Sequence, residues 1–102
     1  MGKFIYNSEV TVDFEDRLLA HLQLAIGTKL RRGESFFFSW KDNNAGGDGR
    51  STVWMHPAVP IRFKFLGSRQ VHINRSWVEA LVQGANSQAG LAVIAEPAER
   101  VS

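Results

Sequence analysis

Glu34-Ser35-Phe36-Phe37-Phe38-Ser39-Trp40-Lys41 reads as a β-strand with two unlike faces. Side chains alternate across a strand. Phe36, Phe38 and Trp40 therefore share one face, and Ser35, Phe37, Ser39 and Lys41 the other. The polar, glycine-rich run Asp42-Asn43-Asn44-Ala45-Gly46-Gly47-Asp48-Gly49 follows, and Ser51–His56 is the return strand. Two such runs joined by a polar loop make an antiparallel hairpin. Gly46-Gly47-Asp48-Gly49-Arg50 reads as the tip of that hairpin. It is not a P-loop, because no Lys-Ser/Thr pair follows the glycines.

Working outward, Pro57 and Pro60 bracket a short connection, since proline interrupts a sheet ladder. Ile61–Leu66 has the cleanest alternation in the chain, with Ile61, Phe63 and Phe65 one way and Arg62 and Lys64 the other. Near the N-terminus, Lys3–Tyr6 and Glu9–Phe14 read as two short strands around an Asn7-Ser8 turn. Leu18, Leu19, Leu22, Ile26 and Leu30 recur at helical spacing. That stripe predicts a helix starting at or near Asp13, where Asp13-Phe14-Glu15-Asp16 resembles a capping box. Lys29, Arg31 and Arg32 suit its negative end, and Gly33 supplies a left-handed stop.

Val71-His72-Ile73 is extended and leads through Asn74 or Ser76 into a second helix. Its buried stripe is Trp77, Val78, Leu81, Val82 and Ala85. Ser76-Trp77-Val78-Glu79 fits a capping box. Gly84 within it suggests close packing against a neighbour. Ala89-Gly90 ends this helix, and Leu91–Ala95 is a last strand. The order ββ-α-βββ-α-β predicts an α+β domain: a mainly antiparallel sheet of about five to six strands with two helices on one face. Residues 1–96 are read as one domain and 97–102 as a flexible C-terminal tail.

The composition agrees with one domain. The chain has 102 residues, 44% of them hydrophobic, enough for a single core. It has no cysteine, which excludes disulfides, thiolate metal sites and cysteine nucleophiles. No apolar run approaches the roughly 18 residues that span a bilayer, and no signal-peptide core is present. The expectation is a cytoplasmic protein with no membrane partner.

Charge is uneven although the net value is only +2. Glu9, Asp13, Glu15 and Asp16 cluster early. No acid occurs from Gly49 to Val78, where Arg50, Arg62, Lys64, Arg69 and Arg75 stand with His56 and His72. Such a stretch is either an ordinary solvated surface or a patch for an anionic partner.

No catalytic pattern in the chain is specific. His21, His56 and His72 lack metal-site spacing, and there is neither an HExxH nor a GxSxG motif. No catalytic, metal-binding or cofactor-binding residue is assigned, and the chain is not expected to be an enzyme. Phe36, Phe38, Trp40, Phe63, Phe65 and Trp77 are assigned to the core. The opposite sheet face is then the informative one, with Phe37, Lys41, Arg50, Trp54, Arg62 and Lys64 as its binding residues, and with His56 beside Trp54 if the register allows. An aromatic and basic face can stack bases and neutralise phosphates of DNA or RNA. It can equally form a homodimer or receive a protein partner.

Several segments carry a family resemblance. They are Lys29-Leu30-Arg31-Arg32-Gly33-Glu34-Ser35-Phe36, Ser39-Trp40-Lys41 and Gly49-Arg50-Ser51-Thr52-Val53-Trp54. Pro57-Ala58-Val59-Pro60-Ile61-Arg62-Phe63, Asn74-Arg75-Ser76-Trp77 and Ala85-Asn86-Ser87 continue it. Together they resemble a family of short actinobacterial proteins that often carry the label ATP-dependent DNA ligase. The resemblance spans about residues 2–97. The label implies a lysine nucleophile in a Lys-x-Asp-Gly motif. Here Asp48-Gly49 is present, but Gly46 stands at the lysine position. No catalytic residue is carried over, and the label is compatible only with an accessory role beside DNA ligation or repair.

Overall fold

Pairing starts at the N-terminus. The computed structural model describes residues 1–42 and 49–99. The hairpin-tip glycines Gly46 and Gly47, with Asp48, and the tail residues 100–102 lie outside the described residues. Strands β1 (Gly2–Tyr6) and β2 (Val10–Phe14) form an antiparallel hairpin, from Gly2 opposite Phe14 to Tyr6 opposite Val10. Asn7 and Ser8 turn the chain with φ of 51° and 60°, and Glu9 N–H donates to the Tyr6 carbonyl at 3.0 Å. Asparagine enters this left-handed region more readily than most residues, which lets the turn form without glycine.

The first helix begins later than its sequence suggests. Asp13 belongs to β2, lies opposite Lys3 and accepts from Lys3 Nζ at 2.7 Å. Helix α1 (Asp16–Arg31) starts after Glu15, which makes no side-chain cap bond. The acidic run resembles a cap, but strand pairing and the Lys3 ion pair claim Asp13. Asp16 instead accepts from the N–H groups of Leu66 and Gly67, at 3.1 and 2.9 Å. The end of α1 matches expectation. Gly33 has φ of 75°. Gly33 N–H donates to Leu30 and Glu34 N–H to Lys29, the paired bonds of a Schellman stop.

Strands β3 (Phe36–Lys41) and β4 (Arg50–Met55) form the central hairpin, from Phe36 opposite Met55 to Lys41 opposite Arg50. Strand β5 (Ile61–Lys64) pairs antiparallel with β1. Helix α2 (Arg75–Asn86) is capped by Asn74, whose Oδ1 accepts from the N–H groups of Ser76 and Trp77. Strand β6 (Leu91–Ala92) runs parallel to β3.

The α+β class and the order of helices and strands are those read from the sequence. The strands are divided, however, into two three-stranded sheets, β2-β1-β5 and β4-β3-β6. Alternation tells which residues share a face of a strand. It does not tell which strand lies beside which, and β5 joins β1 rather than β4. The last strand is also shorter than Leu91–Ala95, because the chain beyond Ala92 turns onto the helices, where Trp77 Nε1 donates to the Ile94 carbonyl at 3.1 Å.

One core serves both sheets. Phe4 of the first sheet meets Phe38 and Trp40 of the second edge-on, with ring centroids 5.4 and 6.4 Å apart. Leu19, Leu22 and Ile26 of α1 and Trp77 and Leu81 of α2 complete it. Leu18 and Leu30 of the apolar stripe are partly buried and pack against it. The inward face of α1 is rotated to include His21, Ala25 and Lys29.

Candidate functional site

The outer face of β3 and β4 carries three successive cross-strand pairs. Phe37 stands opposite Trp54, Ser39 opposite Thr52 and Lys41 opposite Arg50. Their neighbours Phe36, Phe38, Trp40 and Met55 fill the core, so alternation pushes this set outward. The Phe37 and Trp54 rings meet edge-to-face with centroids 4.9 Å apart. They remain 45% and 47% exposed, an unusual pairing of large apolar rings on an outer face. The Ser39 and Thr52 hydroxyls bond each other at 2.8 Å. The Tyr6 hydroxyl donates to the Trp54 carbonyl at 2.5 Å and anchors that end of β4 to the first sheet.

Lys41 and Arg50 form a like-charged rung, which a directly opposed strand pair ordinarily disfavours. The nearest acid along the chain does not relieve it. Both oxygens of Asp42 accept from Ser51 Oγ, at 3.0 and 2.9 Å, and Ser51 belongs to the Trp40 rung of the core face. Lys41 and Arg50 make no ion pair with a described residue.

Of the six residues assigned to one face, the structure brings Phe37, Lys41, Arg50 and Trp54 together. Arg62 and Lys64 are elsewhere. They lie on β5, opposite Ile5 and Lys3, on the outer face of the first sheet. Arg62 and Lys64 therefore belong to a different sheet from Phe37, Lys41, Arg50 and Trp54 and share no strand pair with them.

A second polar assembly escaped the sequence reading. His21 is fully buried. Its Nδ1 meets the Arg17 carbonyl at 2.6 Å, its Nε2 accepts from Asn74 N–H at 2.9 Å, and its ring packs 4.5 Å from that of Trp77. The Arg17 guanidinium grips Glu96 with two bonds, Nε to Oε1 at 2.8 Å and Nη2 to Oε2 at 2.5 Å. Its Nη1 donates to the His72 carbonyl at 2.8 Å. Asn74 Nδ2 adds bonds to Glu96 at 3.0 Å and to the Pro97 carbonyl at 2.9 Å. The Arg17 hydrogen bonds, and then that of Asn74, pull the Glu96 carboxyl down from 4.5 to about 2. An open cleft of about 390 Å³ adjoins this assembly, lined by Arg17, Leu18, Trp77, Val93, Ile94 and Glu96.

Lys29 is likewise buried, donating to Glu34 and to Asn86. Spacing carried a signal for it, since Leu22, Ile26 and Lys29 fall on one helical stripe. Nothing local marks Arg17 and Glu96 as partners, because they meet only through the tertiary fold.

The three histidines serve separate local roles. His21 is buried as above, His56 Nδ1 accepts from Ala58 N–H at 3.0 Å, and His72 Nε2 lies 2.8 Å from Glu99. Among the described residues no three metal-ligating side chains cluster, and no helix is long and apolar enough to cross a membrane.

No curated protein and no solved structure matches this chain. A family model does, across residues 1–96, and it is described as a domain of unknown function, DUF7882. With nearly the whole chain matched, the protein belongs to the DUF7882 family.

Proposed function

We propose that this domain is a non-catalytic protein-interaction module that self-associates through the outer face of β3 and β4. The observation that carries the reading is the Phe37–Trp54 pair, two rings packed on each other yet each nearly half exposed. Such a pair is already ordered by its own contact, so a partner would bury it at little entropic cost. The Ser39–Thr52 and Lys41–Arg50 rungs would form the polar rim. Light scattering across protein concentrations tests this. Wild-type mass should rise above the monomer as concentration increases, and Phe37→Ser with Trp54→Ser should hold it at the monomer value. A wild-type protein that stays monomeric throughout sinks self-association.

A second reading is favoured by one specific observation, the Lys41–Arg50 rung with no ion pair to an acid among the described residues. In line with two aromatic rings, it suits a single-stranded nucleic acid, with bases on Phe37 and Trp54 and phosphate on the cations. Such a module would work beside DNA ligation or repair and perform no ligation itself. Fluorescence anisotropy with labelled DNA should then show binding that weakens steeply with salt, and Lys41→Ala with Arg50→Ala should flatten that dependence. Binding that is absent even at low salt removes this reading.

A further inference from the structure

The last described residues are held in an unusual way. After β6 the chain from Val93 to Glu99 has no regular secondary structure. It is fastened by side chains of the two helices and the approach to α2. Trp77 Nε1 takes the Ile94 carbonyl, Arg17 takes both oxygens of Glu96, Asn74 takes Glu96 and the Pro97 carbonyl, and His72 meets Glu99. This is the pattern of an extended peptide bound in a groove: backbone carbonyls on fixed donors, one carboxylate in a planar fork. The receptor side is rigid by its own contacts. Asn74 caps α2 while its backbone N–H is fixed by His21, and Trp77 is packed on the His21 ring. The preceding strand β6 pairs with β3 over only two residues, Leu91 and Ala92, so little ladder must break for the segment to leave.

We infer that Arg17, Asn74 and Trp77 form a receptor for an extended acidic segment, filled in one chain by its own Ile94–Pro97 and able to take the same segment from a second copy. The charge complementarity is direct, a bidentate guanidinium against one glutamate. Exchange replaces every cis bond by its trans equivalent, so it costs little beyond association itself. This surface is distinct from the Phe37–Trp54 face, and the inference stands or falls without that face.

Charge reversal in full-length chains tests it. Arg17→Glu alone and Glu96→Arg alone each mismatch the groove and segment, both in cis and in a dimer of like chains. Mixed together, the two variants match both pairs, but only across two chains. The expected result is a one-to-one complex on mixing by light scattering, unaffected by Phe37→Ser. Arg17→Glu with Glu96→Arg in one chain restores the cis pair and serves as the folding control. Should a single variant fail to fold, a fluorescein-labelled peptide of residues 93–99 is titrated onto full-length Glu96→Gln. It should bind, and adding Arg17→Ala should weaken it by at least about tenfold, as loss of a charge-assisted fork implies. Chains that remain monomeric on mixing overturn the inference, as does a peptide whose binding ignores Arg17.

Discussion

Asn74 donates its backbone N–H to His21 Nε2 at 2.9 Å, so the start of α2 is fixed by a side chain inside α1. Because that N–H can only donate and the Arg17 carbonyl can only accept, Nδ1 carries the ring proton and Nε2 is the acceptor. His21→Phe keeps a ring against Trp77 but leaves Asn74 N–H without its acceptor. The expected loss is about 1–3 kcal/mol, the cost of an unsatisfied buried group. Urea denaturation should show a lower midpoint with an unchanged slope.

Gly90 and Gly33 both hold positive φ, 88° and 75°, but in different surroundings. A Cβ on Gly33 meets open space. On Gly90 it would lie 2.4 Å from the Phe37 carbonyl oxygen and 2.8 Å from Phe37 Cβ. Gly33→Ala should cost about 1–2 kcal/mol, the left-handed penalty alone. Gly90→Ala must also displace the β3 backbone and should cost clearly more. Thermal or urea unfolding of the two variants side by side checks the order.

Acid sensitivity should trace to Glu96. Its folded-state carboxyl sits near 2 rather than 4.5, first through Arg17 and then Asn74. A depressed pKa means that the unfolded chain takes up the proton first as pH falls. The contribution is thus complete above about 4.5 and is lost as pH drops towards about 2. Asp16, held down by the Gly67 and then the Leu66 N–H groups, works in the same direction. Stability measured against pH should be flatter through that window for Glu96→Gln than for wild type.

The buried Lys29 gives an asymmetric expectation. Lys29→Met removes a desolvated charge and keeps a good helix former, so it should be near neutral. Glu34→Ala instead leaves the buried ammonium with Asn86 as its remaining side-chain partner. It should therefore be the more destabilising of the two, as chemical denaturation of both variants can show.

The sequence was legible wherever a local rule governed. Phe36, Phe38 and Trp40 against Phe37, Ser39 and Lys41 follow from alternation alone, and Gly33 from helix-stop chemistry. Asp13 misled because an acid before an apolar helical stripe resembles a cap, while its partner Lys3 lies across a strand pair. Side-chain periodicity is blind to strand neighbours, so it cannot tell that the strand of Arg62 and Lys64 pairs with β1 and not with the hairpin of Phe37. The Arg17–Glu96 contact joins the first turns of α1 to the chain beyond β6, and no spacing rule connects them.

The most direct test of the central claim is residue-resolved. Amide chemical shifts should be compared between dilute and concentrated samples of the full-length protein. If the β3–β4 outer face mediates self-association, changes concentrate at Phe37, Ser39, Thr52 and Trp54 and vanish in Trp54→Ser. Shifts that do not move there, or that move only on the first sheet around Ile5, Arg62 and Lys64, contradict the account.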